Sequence, residues 1–242
     1  MNVITKFKKR ALRWGLPLPF DCRHIEYSAI ASTDDDPGRP TKRLLDISLK
    51  AIEEAGRVDL SWLSKRMAAA PFYPDVWPGE HYKLLAGLVA VQQPKRVVEI
   101  GTSQGLGALS LKNRLPSDGE LITVDIVPWN EIDGSSFRSS DFEDGRLRQV
   151  IGNLSDQTFF RNFSETLAGC DLLFVDAPKN VIFEQTLVKE LSTIELAKNL
   201  LVVFDDIRQW NMLKIWREIR RPKLDLTSFG HWTGTGIVEW NG

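Results

Sequence analysis

The sequence predicts an α/β fold with a seven-stranded, mostly parallel sheet and helices on both faces. Three observations carry this. From Gly79 onward, five apolar runs alternate with helix-length segments: RVVEIG, ELITVD, RLRQVIG, DLLFVDA and LLVVFDD. Apolar strands joined by helices are the pattern of a parallel sheet covered on both sides. Two further runs, KLDLTSFG and TGIVEW, close the chain, and the HWTGTG between them is too short for a crossover helix. Those two strands must therefore be antiparallel.

The elements follow in order. Residues 1 to about 40 are irregular, and STDDDPGRP (Ser32 to Pro40) reads as a loop. Thr41 can cap a helix to about Ala55, with Leu44, Leu45, Ile47, Leu49 and Ile52 forming much of its apolar face. A second short helix fits DLSWLSKRMAAA, and PFYPDVWPGE then interrupts with three prolines. This divides the chain into an N-terminal helical extension, residues 1–70, and a sheet domain, residues 71–242. A helix fits EHYKLLAGLVAVQ. Others are expected near Gln104 to Leu111, Ser155 to Leu167, Val181 to Leu196 and Gln209 to Arg220. IVPWNEIDGSSFRSSDFEDG reads as loop.

Composition narrows the function. The 242 residues are 43% hydrophobic and 26% charged, ordinary for a globular protein. A net charge of −1 gives no electrostatic reason to expect nucleic acid as a partner. Cys22 and Cys170 sit in no metal-ligand spacing and read as free thiols of a reducing, cytoplasmic compartment. The basic start lacks the apolar region of a signal peptide, and no window is apolar enough to span a membrane. Lys6, Lys8, Lys9, Arg10 and Arg13 read as a solvated arm, with contact at a membrane surface as the alternative.

VVEIGTSQGLGALSL turns from a strand into a helix. A dinucleotide fingerprint would need glycine where Ser103 stands. The pattern present is E-x-G-x-x-x-G, made by Glu99, Gly101 and Gly105. Gly101 allows a sharp exit from the strand, and Gly105 allows close approach of a ligand. Glu99 would repel a pyrophosphate and attract a cationic group.

On these residues the sequence resembles the class I S-adenosylmethionine-dependent methyltransferases, over roughly Trp77 to Trp240. The resemblance implies their seven-stranded, Rossmann-like sheet with an antiparallel last strand. It implies that Asp125, ending LITVD, holds the ribose hydroxyls, and that Gly152, Asn153, Leu154 and Ser155 border the adenine. The cofactor set it implies is Glu80, Glu99, Gly101, Thr102, Ser103, Gly105, Asp125, Ile126, Gly152, Asn153, Leu154 and Asp176. The plainer alternatives are a bare turn at the glycines and a helix cap or solvated residue at Asp125.

Two more strands end in acids: Asp176, then Asp205 with Asp206. In a parallel sheet these gather at one edge, where three carboxylates raise one another's pKa unless a cation sits among them. Hard oxygen ligands suit Mg²⁺, Ca²⁺ or Mn²⁺. The pattern resembles the metal-dependent catechol-type and sugar-type O-methyltransferases. By that resemblance Lys179, in D-x-x-K with Asp176, is the general base. Ala177 closes the sugar-type route through an acid at that position, while the Asp205–Asp206 pair leans toward the sugar-type and tailoring enzymes. His231 in SFGHWTGTG is the second candidate base. Glu80, in WPGEHYKLL, would face the cofactor's amino group, and His81 and Tyr82 would face substrate. Arg208, Trp210 and Trp129 are weaker candidates for the substrate pocket.

The expected function is methyl transfer from S-adenosylmethionine to a hydroxyl of a small sugar or phenolic natural product, assisted by Mg²⁺ or another divalent cation. Three alternatives remain: a metal-independent N- or O-methyltransferase using His231, an NAD-linked oxidoreductase, and a non-catalytic cofactor-binding module. A homodimer is implied by family analogy.

Overall fold

The structure, a computed structural model, describes residues 38–67, 72–209 and 212–241. Cys22, the basic residues Lys6, Lys8, Lys9, Arg10 and Arg13, most of the Ser32–Pro40 loop and Trp210 lie outside the described residues.

The five alternating runs form β1 (Arg96–Ile100), β2 (Glu120–Asp125), β3 (Leu147–Ile151), β4 (Leu172–Val175) and β5 (Leu201–Asp205), all parallel. With β6 (Lys223–Asp225) and β7 (Thr235–Glu239) they make one seven-stranded sheet, in the order β3-β2-β1-β4-β5-β7-β6. β7 is antiparallel to both neighbours and alone runs against the rest. Strand order reverses between β1 and β4, and the crevice outside the carboxyl ends there is where such sheets take ligands.

Successive residues of the central strands feed opposite faces. On β4 and β5, Leu173, Val175, Val202 and Phe204 pack with α5 (Gln157–Ala168), α6 (Ile182–Leu191) and α7 (Met212–Glu218). Leu172, Phe174, Leu201 and Val203 pack on the other side. There they meet α1 (Lys42–Ala55), α2 (Ser61–Ser64), α3 (Tyr82–Gln92) and α4 (Leu106–Asn113).

Thr41 does cap α1, its hydroxyl accepting from Leu44 N at 3.0 Å. The buried stripe differs from the expected face. It is Leu44, Ser48, Ala51 and Ala55, while Leu45 and Leu49 are exposed. The reason is how closely α1 lies on α3: a side chain at Gly87 would collide with the Ala51 carbonyl. Only small residues fit such a contact.

Several boundaries are shorter than expected, for local reasons. α6 stops at Leu191 rather than Leu196, because Ser192 Oγ donates to Val188 O at 2.9 Å and Thr193 Oγ1 to Glu190 O at 2.7 Å. β6 ends at Asp225, whose Oδ1 accepts from Thr227 N at 2.8 Å and turns the chain. The DLSWLSKRMAAA helix is a single turn, Ser61–Ser64, among the described residues.

Candidate active site

A cavity of about 630 Å³ opens at the carboxyl edge of the sheet. It runs from Asp125 and Ile126, past Gly101 and Ser103, to Asp176, Lys179 and Asp206; Gly152, Asn153 and Leu154 line its flank. A second cavity, about 290 Å³, lies across the glycine turn. Tyr73, Tyr82, Glu99, Thr102, Gly105 and Asp176 line it.

The turn is built from its neighbours. Gly101 has φ +100°, and a side chain there would strike the Asp176 carbonyl. Glycine therefore lets the exits of β1 and β4 touch. Gly105 also has positive φ, +84°; the Phe137 ring fills the place a side chain would take, and the glycine backbone lines the second cavity.

Asp125 holds the turn shut. Its Oδ2 accepts from the amides of Thr102 and Ser103 at 2.9 and 3.0 Å, and its Oδ1 from Ile126 N at 2.7 Å. Val127 N also donates to Oδ1, at 3.2 Å, so each oxygen already accepts from two backbone amides. Glu99 is buried beneath the turn and accepts from the Thr123 hydroxyl at 2.6 Å. Burial pushes its carboxyl well above the usual range, against the help of Thr123. Burial thus favours the neutral form of this acid in a polar core. Thr123 in turn shares a 2.7 Å hydrogen bond with Thr102.

The three strand-end acids do converge: one oxygen from each of Asp176, Asp205 and Asp206 lies within 4.8 Å of the others. Lys179 reaches into the group. Its Nζ is hydrogen-bonded to Asp176 Oδ1, 2.9 Å from Asp206 Oδ2 and 3.7 Å from Asp205 Oδ2. An ammonium thus stands where three hard oxygen donors face one another, and the donor set fits a divalent cation as well. Burial opposes the Lys179 charge, but the three carboxylates outweigh it and hold the lysine above its usual range. In this arrangement, without a cation among the carboxylates, Lys179 keeps its proton.

His231 lies on the same edge, after β6 as expected. Its Nδ1 is 3.0 Å from Asp205 Oδ1 and 3.3 Å from Asp206 Oδ1. Burial works against its charge, yet hydrogen bonds to Asp205 and Asp206 push it up to about 10. Asp205 and Asp206 are both held below the usual range; burial opposes this, and their partners prevail.

Glu80 sits beside this histidine, its Oε2 3.5 Å from His231 Nε2. It lines neither cavity, so it stands apart from the cofactor-end position expected for it. His81 is buried against Asp205, and Tyr82 lines the smaller cavity. Two weaker candidates have structural partners. Arg208 pairs with Asp225 at 2.8 Å, and Trp129 stacks on Phe142 with ring centroids 5.3 Å apart. Sequence reading missed Thr123, Thr233 and Phe137. Thr123 was legible by alternation, two residues before Asp125. Thr233, whose hydroxyl donates to Asp206 Oδ1, carried no such signal.

Comparison with known proteins agrees with this geometry. Residues 60–211 match the family model described as O-methyltransferase. The chain belongs to that O-methyltransferase family. A protein of Mycobacterium sp. (strain KMS), whose name assigns it to the O-methyltransferases, is 30% identical over 149 residues. That match covers 61% of this chain and 66% of the relative. Among solved structures, the O-methyltransferase TomG of Streptomyces achromogenes, crystallised with S-adenosylmethionine, has TM-score 0.52 and 22% identity. It covers 76% of this chain and 91% of its own. An O-methyltransferase of Bacillus cereus, solved with S-adenosylhomocysteine, has TM-score 0.52 at 18% identity, covering 78% and 90% of the two chains. At these identities the structural likeness speaks for the shared fold. No helix among the described residues is long and apolar enough to cross a membrane.

Proposed function

We propose that this chain transfers a methyl group from S-adenosylmethionine to a hydroxyl oxygen of a small molecule, with a divalent cation on Asp176, Asp205 and Asp206. The observation that carries the reading is the continuity of the larger cavity, which joins Asp125 at one end to Asp176 and Asp206 at the other. When bound, S-adenosylmethionine supplies a methyl group on a cationic sulfur, and Mg²⁺ lowers the pKa of a hydroxyl it ligates.

The chain's own residues do the rest. Asp125 accepts from the ribose diol in exchange for its longest amide contact, that of Val127 N to Oδ1 at 3.2 Å. Ile126, 66% exposed, offers an apolar face to the adenine beside Gly152, Asn153 and Leu154. Gly101, Thr102 and Ser103 carry the backbone past the methionine portion. Lys179 is the proton acceptor of this reading once the charge of the carboxylates is compensated, since their field alone keeps it protonated. His231, as an imidazolium, is poorly suited to be the sole base, and the metal-assisted reading is favoured for that reason. The acceptor we assign to hydroxylated sugars or phenols. Trp77, Phe229 and Trp232, close in sequence to Glu80 and His231, leave aromatic surface exposed on which such a ring can rest.

Calorimetric titration with S-adenosylhomocysteine, with and without Mg²⁺, tests this. The native protein should bind it, and Asp125→Ala should weaken binding by about tenfold or more, the scale of a lost charge-assisted hydrogen bond. Mg²⁺ should bind the native chain and not Asp206→Ala. Failure of the native chain to bind S-adenosylhomocysteine overturns the reading. Binding of the homocysteine compound without any Mg²⁺ uptake removes the metal and keeps the transferase.

A further inference from the structure

The carboxylates of Asp205 and Asp206 have two sides. On one, Asp205 Oδ2 and Asp206 Oδ2 face the Lys179 ammonium at 3.7 and 2.9 Å. On the other, Asp205 Oδ1 faces two imidazoles, His231 Nδ1 at 3.0 Å and His81 Nδ1 at 3.3 Å. We propose that His81, His231 and Asp205 form a second metal site, adjoining the three-carboxylate site through the shared Asp205 and selective for a borderline transition-metal dication such as Zn²⁺.

Three observations carry this. The first is the donor set and its spacing. One ligand atom from each of the three residues lies within 4.8 Å of the other two. A tetrahedral ion with bonds of about 2.0–2.1 Å needs donors roughly 3.3 Å apart, close to the two histidine–aspartate separations. Two imidazoles and one carboxylate leave a fourth position for water, and imidazole selects Zn²⁺ over Mg²⁺. The ion takes the place of the proton that Asp205 and Asp206 otherwise hold on His231, and that proton leaves to solvent.

The second is His81. It is 2% exposed, its Nε2 has no hydrogen-bond partner, and its Nδ1 meets only Asp205 Oδ1, at 3.3 Å and off the line of a well-formed hydrogen bond. A buried polar group with poor or no partners costs about 1–3 kcal/mol, and among the described residues Asp205 alone meets Nδ1. Phe174 and Tyr82 pack against the ring and fix its direction, with centroids 5.5 and 4.4 Å away. The edge of the His231 ring meets it at 5.1 Å.

The third is the outer partner of His231. While Nδ1 faces Asp205, Nε2 lies 3.5 Å from Glu80 Oε2. A carboxylate on the far nitrogen is the usual support of a metal-bound histidine, setting its tautomer and orientation. The position of Glu80 beside His231, rather than in either cavity, acquires a role from this arrangement.

The site is read without methyl transfer, so its failure leaves the transferase proposal standing. Zn²⁺ affinity is measured by competition with a chromophoric chelator in excess Mg²⁺, and Co²⁺ absorption reports nitrogen ligation. The native chain should take up one Zn²⁺ and give visible Co²⁺ bands. His231→Gln and His81→Asn should each lower Zn²⁺ affinity at least tenfold and abolish the bands. Asp176→Asn, which meets only the lysine side, should change Zn²⁺ affinity by less than threefold. His231 is partly exposed, so its variant reports even if the buried His81 variant does not fold. Absence of Zn²⁺ uptake by the native chain overturns the site. So does an affinity that falls in Asp176→Asn and survives in His231→Gln.

Discussion

Glu99 shows how far a single residue's chemistry departs from its residue type. It closes a strand in the sequence as an acid, yet the fold buries it between Thr123 and the first turn of α4. Burial raises its pKa well above 4.5, and the nearby charges of Asp176 and Asp125 add to that. A raised carboxyl binds more protons folded than unfolded, so its contribution is present below about 4.5 and is lost as pH rises through the elevated folded value. Glu99→Gln removes this loss while keeping the shape, because an amide can donate to the Thr123 hydroxyl and accept on its other side. Urea unfolding should find the variant more stable than the native chain at pH 8 and little different at pH 4.5. Equal stability at both values would show that Glu99 is ionised in the fold. Legibility at this scale was uneven. The strand-end acids Asp125, Asp176, Asp205 and Asp206 could be placed because a parallel sheet forces its carboxyl ends to one edge. The states of Lys179 and His231 could not be placed. They depend on which carboxylates surround them, and β7 and its preceding loop bring Thr233 and His231 to β5 by a contact without local periodicity.

At the scale of elements, strands were read better than helix ends. Strand existence follows from long apolar runs, whereas helix ends follow from a few hydrogen bonds such as those of Ser192 and Thr193. The start of α1 is the exception, since a threonine before an apolar pattern has a known local chemistry. Thr41 does more than cap. Its hydroxyl accepts from Leu44 N and donates to Glu239 Oε2 at the end of β7, and Arg43 pairs with the same carboxylate. The first turn of α1 is therefore pinned to the sheet as well as closed on itself. Thr41→Ala should cost about 0.5–2 kcal/mol, the range for a lost N-cap. The midpoint of urea unfolding should fall with an unchanged denaturant slope. A loss below about 0.3 kcal/mol would mean that water replaces both bonds without penalty.

The whole molecule turns on the same helix. α3 is buried through six consecutive residues, Leu84 to Val89, which an amphipathic surface helix would not be. A helix apolar all round needs cover on two sides. The sheet supplies one, and α1 supplies the other through the close contact at Gly87. The N-terminal helix is thus part of the core that carries the sheet, on the face opposite α5, α6 and α7. Uncovering even two leucines costs about 3–6 kcal/mol, comparable with the ~5–15 kcal/mol by which a domain is stable at all. A chain beginning at Asp59 should therefore bind a hydrophobic dye and lose its cooperative transition. In the full chain, tryptophan fluorescence reports both faces, through Trp216 and Trp240 on the far one and Trp62 and Trp129 on the near one, and circular dichroism reports the helices. The two signals should fall together in one transition. If the shortened chain unfolded as cooperatively as the full one, α1 would be an appendage, and the cover on α3 would have to come from α2 and the loop that follows it.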